Sequence, residues 1–96
     1  MTLFSEQKTS TNIAYPLTIH QLHLKNNDLV TLPGSMFVDL VNLVWLDLRN
    51  NKLTALPGEI GMAPSLKELL LAGNVLRELP VELSRVKTLR GMQLQV

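Results

Sequence analysis

Apolar residues return along this chain with a fixed rhythm. When Ile19, Leu43, Leu66 and Leu89 are each taken as position one, successive copies start 24, 23 and 23 residues apart. The register then holds elsewhere. Position four is Leu22, Leu46, Leu69 and Met92, and position six is Leu24, Leu48, Leu71 and Leu94. Position nine is polar: Asn27, Asn51 and Asn74. Positions eleven and fourteen are leucine again, Leu29, Leu53 and Leu76, then Leu32, Leu56 and Leu79, the latter followed by Pro33, Pro57 and Pro80. A period of this length marks a supersecondary unit that stacks on copies of itself.

The spacing dictates local structure. Positions four and six lie two apart and share one face of a short strand, while positions three, five and seven share the other. Side by side, the strands make a parallel sheet with a leucine face, which the return segments cover. The asparagines stand where each strand ends and backbone groups lose their ladder partners. An amide side chain carries donors and an acceptor, so a column at Asn27, Asn51 and Asn74 can satisfy those groups in its own and the adjacent turn. Proline holds the preceding leucine extended and suits the first residue of a helical turn. Glu59 and Glu82 follow two residues later, where a carboxylate complements a helix N-terminus. Short helical or 3₁₀ pieces are expected around 35–40, 59–63 and 82–86.

The pattern LxxLxLxxNxLxxLPxxI, read over 43–60, resembles the short typical repeats of intracellular leucine-rich repeat proteins, and the likeness covers about 17–96. It implies an α/β fold, a right-handed solenoid with a short parallel sheet on the concave face and short helical or 3₁₀ segments on the convex face. About three full repeats and a partial fourth would follow an N-terminal flanking segment or partial cap over 1–16. The family resemblance also implies a protein partner on the concave face and no cofactor. The run WLDLRNNKLTALPGEIG, with the later LPVEL and KTL, is similar to one animal branch of the family. That likeness implies repeats placed ahead of a charged, helical tail, and a setting in the cilium or sperm tail.

Composition narrows the picture. The chain has 96 residues, 46% hydrophobic but only 4% aromatic, so aliphatic side chains fill a modest core. Nine basic and eight acidic residues are interspersed, for a net charge of +1. No field of one sign is set up, so neither nucleic acid nor a membrane surface is an expected partner. Without cysteine there is no disulfide or thiolate. With no Asn-x-Ser/Thr sequon either, this points to an intracellular, cytoplasmic setting. The apolar window LVNLVWL over 40–46 is far shorter than the roughly 20 residues of a membrane span, and the N-terminus lacks the basic start and apolar core of a signal peptide.

Candidate partner-binding residues come from the outward rows. Position three gives Gln21, Trp45, Glu68 and Gly91; position five gives His23, Asp47, Leu70 and Gln93; position seven gives Lys25, Arg49, Ala72 and Gln95. Trp45, the one tryptophan, and Leu70 are expected to form an exposed apolar patch bordered by Asp47 and Arg49. The competing arrangement has Trp45 lying flat over its own neighbours. His20 and His23 fall on opposite sides of a strand and suggest no shared metal. The carboxylates show no concave pair for acid and base work, and no phosphate loop, nucleophile triad or HExxH occurs. No catalytic, cofactor-binding or metal-binding residue is assigned, and the chain is not expected to be an enzyme.

The two ends complete the reading. Leu3, Phe4, Ile13 and Tyr15 are anchors for a partial cap, while Met92 and Leu94 are expected at an open C-terminal edge, covered by further repeats or by another subunit. The expected function is a protein-binding scaffold that uses its concave face. The alternative is a structural subunit of a large assembly, such as a ciliary axoneme or sperm tail, held through its ends and convex surface.

Overall fold

The computed structural model describes residues 18–93. Strands β1 (Gln21–His23), β2 (Trp45–Asp47), β3 (Glu68–Leu70) and β4 (Gly91–Gln93) form one parallel sheet in chain order. Each occupies positions three to five of its repeat. The register pairs equal positions, Leu22 with Leu46, Leu46 with Leu69, and Leu69 with Met92. The periodicity of the sequence is thus the periodicity of the sheet.

Backbone pairing continues past the strands. The N–H groups of Leu24 and Asn26 donate to the Asp47 and Arg49 carbonyls at 2.9 and 3.0 Å, and those of Leu48 and Asn50 donate to Leu70 and Ala72 at 2.9 Å each. Position eight breaks this ladder, and cross-repeat bonds resume beyond it, from the Lys52 N–H to the Leu29 carbonyl at 2.8 Å and from Val75 to Leu53 at 3.0 Å. Asn26, Asn50 and Gly73 take φ of 63°, 57° and 77°, the left-handed region that Asn tolerates and Gly occupies freely. The chain there leaves the sheet and turns inward.

The core lies between the sheet and the return segments. Leu46, Leu48, Leu53, Ile60, Leu66 and Leu69 are fully buried. Helix α1 (Ser35–Asp39) adds Met36 and Phe37, whereas the later repeats use 3₁₀ turns at Gly58–Met62 and Val81–Arg85. The first repeat is one residue longer, and the extra residue closes a wider turn: the Leu40 N–H reaches the Met36 carbonyl at 3.0 Å.

The proline expectation needs correction. Pro57 and Pro80 are not the first helical residues but the caps before them, with ψ of 145° and 142°. Their extended backbone continues the Leu-Pro segment, and their carbonyls accept the first bonds, from Ile60 at 3.1 Å and Leu83 at 3.0 Å. The turns begin at Gly58 and Val81, directly after each proline and one residue before the expected starts at 59 and 82. Glu59 and Glu82 lie in the first turns, yet each carboxylate also packs against a glycine one repeat back. A Cβ at Gly34 would collide with the Glu59 carboxylate, and one at Gly58 would sit 3.2 Å from that of Glu82.

Burial declines toward β4. Leu76, Leu79, Leu83 and Leu89 are only partly buried, and Met92 is 38% exposed. The proposed cap over 1–16, together with Leu94 and Gln95, lies outside the described residues.

Candidate protein-binding face

An asparagine frame supports the open face of the sheet. The Asn51 Oδ1 accepts from the N–H groups of Asn27 and Leu29 at 3.0 Å each, while its Nδ2 donates to the Leu24 and Leu48 carbonyls at 2.9 Å each. Asn74 repeats the pattern one unit on, accepting from Leu53 at 3.0 Å and donating to Leu48 and Leu71 at 2.9 Å each. Each side chain thus joins its own repeat to the one before. Asn27 departs from this role: its Nδ2 donates to the Lys25 carbonyl at 3.2 Å, within its own turn. The bonds run backward along the chain, and no repeat precedes Asn27 among the described residues.

A second set of cross-repeat bonds was not anticipated. Ser65 and Thr88, each just before a position-one leucine, donate from their hydroxyls to the carbonyls of Val41 at 2.9 Å and Leu66 at 2.6 Å. A hydroxyl recurring ahead of that leucine was the available signal.

On this frame the outward rows stand as the alternation requires, but at unequal heights. Gln21, His23, Lys25 and Gln93 are exposed; Trp45, Arg49, Glu68, Ala72 and Gly91 are partly so. Two candidates are buried, which corrects the expected patch. Leu70 is 6% exposed: set between Asp47 and Gln93 in the register, it is too short to stand clear of its surroundings. It offers no apolar surface beside Trp45. Asp47 is 3% exposed and is not a border residue.

Arg49 explains that burial. Positions five and seven share a face, so the Arg49 side chain folds back along its own strand. Its Nε donates to the Asp47 Oδ1 at 2.8 Å and its Nη2 to Oδ2 at 2.6 Å. The Arg49 backbone N–H adds a bond to Oδ1 at 3.1 Å. Such a fork-to-carboxylate pair is directional and holds both groups in place. It lowers the Asp47 pKa, chiefly through the Arg49 side-chain hydrogen bonds, and raises that of Arg49 for the same reason.

Trp45 packs against a neighbour on the adjacent strand. Its ring meets that of His23 with centroids 4.5 Å apart and planes inclined by 52°. His23 is itself placed by Gln21, whose Oε1 lies 3.1 Å from the His23 Nε2. His20 is held separately, its Nδ1 2.6 Å from the Thr18 carbonyl. Among the described residues no three His, Asp or Glu side chains gather as metal ligands, and no helix is long and apolar enough to cross a membrane. Chemically, the face offers hydrogen-bond donors, one ion pair and a tilted aromatic pair.

Comparison with known families agrees with this geometry. Residues 18–94 match the family model described as leucine rich repeat. The chain belongs to the leucine-rich repeat family. That match supports no narrower relation to the animal branch that the second repeat resembles, and no curated protein matches the chain. Leucine-rich repeat domains generally mediate protein–protein interaction, and the family is typically a non-enzymatic interaction module. In this leucine-rich repeat protein the open sheet face carries the Asp47–Arg49 pair and the His23–Trp45 ring contact.

Proposed function

We propose that this leucine-rich repeat protein is a protein-binding scaffold whose open, concave sheet face holds the partner. One observation carries the reading: Trp45 is partly exposed on that face, with His23 against its ring and the Asp47–Arg49 pair following on the same strand. Tryptophan and arginine dominate interface hot spots, and a surface already ordered loses little conformational entropy on binding. An intracellular, cytoplasmic setting fits the absence of cysteine and sequons. The test is Trp45→Ala, measured against a partner captured on the parent chain. Affinity should fall by more than about 1 kcal/mol, roughly fivefold, while Val81→Ser on the convex side changes it little.

A second reading has its own support. Met62 and Val81, in the convex 3₁₀ turns, are 63% and 83% exposed, and apolar surface of this kind suits a subunit held in a large assembly, a ciliary one included, by its convex side and ends. Under that reading Val81→Ser or Met62→Ser releases the partner and Trp45→Ala does not.

A further inference from the structure

The concave-face reading leaves open what kind of segment the face would accept. Charge answers part of that. Asp47 is buried and committed to Arg49, so the one carboxylate near the middle of the face is already neutralised. Lys25 stands beside Arg49 at the same repeat position, joined through the Asn26 N–H to Arg49 carbonyl bond at 3.0 Å. Lys25 is exposed and has no ion-pair partner among the described residues. Arg49 spends Nε and Nη2 on Asp47, which leaves Nη1. Lys25 and Arg49 both act on Asp47, so this corner of the face holds two cations against one buried carboxylate and keeps one net positive charge. Glu68, the other carboxylate on the face, lies at the opposite end of the sheet from Lys25 and Arg49, beside Trp45 in the register, with its carboxylate turned against Gly91 on the far side.

The aromatic pair lies close to that corner. His23 is two residues before Lys25 on the same strand face, about 7 Å away at strand rise, and its ring touches Trp45. An extended peptide repeats its side chains on one side with the same spacing. Resting on the concave-face reading, we infer that the face takes an extended peptide segment with an acidic side chain at the Lys25–Arg49 corner and an apolar side chain two residues away, against the His23–Trp45 pair. Arg49, held by Asp47, presents a fixed donor, and Lys25 supplies a mobile charge that steers approach. A phosphate backbone would meet the same cations but also Glu68, and two cations neutralise few phosphates.

The probes are fluorescein-labelled octapeptide pools with a central Leu-x-Glu, Leu-x-Gln or Leu-x-Lys, titrated with the whole chain by anisotropy. The Leu-x-Glu pool should bind about tenfold or more tighter than the Leu-x-Lys pool, with affinity falling as salt is raised. Lys25→Glu should invert that preference, and Lys25→Gln should remove most of it. Both variants change an exposed side chain, and circular dichroism checks the fold. Pools that bind equally, all weakened by Trp45→Ala, would overturn the acidic preference and leave the concave-face reading standing. Binding that neither Lys25→Glu nor Trp45→Ala affects would sink both. No binding by any pool overturns the inference, as does an oligothymidylate that binds more tightly than the Leu-x-Glu pool, which would point to nucleic acid.

Discussion

Asn51 and Leu24 are joined across a repeat boundary: the Asn51 Nδ2 donates to the Leu24 carbonyl at 2.9 Å, and the same amide holds the Leu48 carbonyl at 2.9 Å. No hydrocarbon side chain can replace it. Asn51→Ala strips partners from the N–H groups of Asn27 and Leu29 as well, and an unsatisfied buried polar group costs about 1 to 3 kcal/mol. The loss should total about 3 to 5 kcal/mol, while Asn27→Ala, whose amide bonds only within its own turn among the described residues, costs less than about 1 kcal/mol. Urea unfolding followed by circular dichroism measures both. Equal losses would show that column position, not cross-repeat bonding, sets the cost.

The declining burial toward β4 separates two leucines of one column. Leu53 is fully buried and Leu76 only partly, though both stand at position eleven. Leu53→Ala should cost about 3 to 5 kcal/mol, near the upper end for leucine truncation, because packed neighbours surround the void. Leu76→Ala should cost about half as much or less, since partly exposed methyl groups lose less transfer energy. Thermal melts of the two variants check the order. Leu48→Ala and Leu71→Ala, both buried, fall with Leu53→Ala, at about 2 to 5 kcal/mol.

Gly73 makes a sharper backbone prediction. Its φ of 77° lies in the left-handed region, and an added Cβ would collide with the Asn50 side chain one repeat back. Gly73→Ala should therefore destabilise by about 1 to 2 kcal/mol from the backbone alone, with the Asn50 contact adding to it. Asn50→Gly removes the colliding side chain, so the double variant should recover the Asn50 part and keep the backbone part. Chemical denaturation of both single variants and the double variant resolves the two contributions.

Strand placement was legible because it depends on period-two alternation around positions four and six, and Leu22, Leu46, Leu69 and Met92 pair in the register the spacing demands. Asn51 was legible for a related reason: an asparagine recurring at one fixed position between core leucines has few uses besides satisfying backbone groups. The side-chain heights on the open face were not. Alternation places Leu70 and Asp47 outward without saying how far neighbouring chains rise above them, so an exposed patch was expected where one leucine is sunken and one carboxylate is chelated. The Arg49 fold-back depends on rotamers, which spacing does not encode. The one-residue shift at Pro57 came from reading proline's φ alone, when its ψ of 145° decides on which side of the cap it falls.

The Asp47–Arg49 pair gives the fold a pH dependence with a definite sign. Arg49's hydrogen bonds hold the Asp47 carboxyl below its ordinary range. The folded chain therefore binds that proton less readily than the unfolded chain. Stability from this group is complete above the ordinary aspartate value of about 3.9, and is lost as pH falls through the lowered folded value. Asp47→Asn keeps the shape and removes the titration. The parent's unfolding midpoint should exceed that of Asp47→Asn at pH 6, with the gap narrowing below about pH 4. Urea titrations across that range decide it. A gap that stays constant into strong acid would mean that the ion pair orders Arg49 on the face without stabilising the fold.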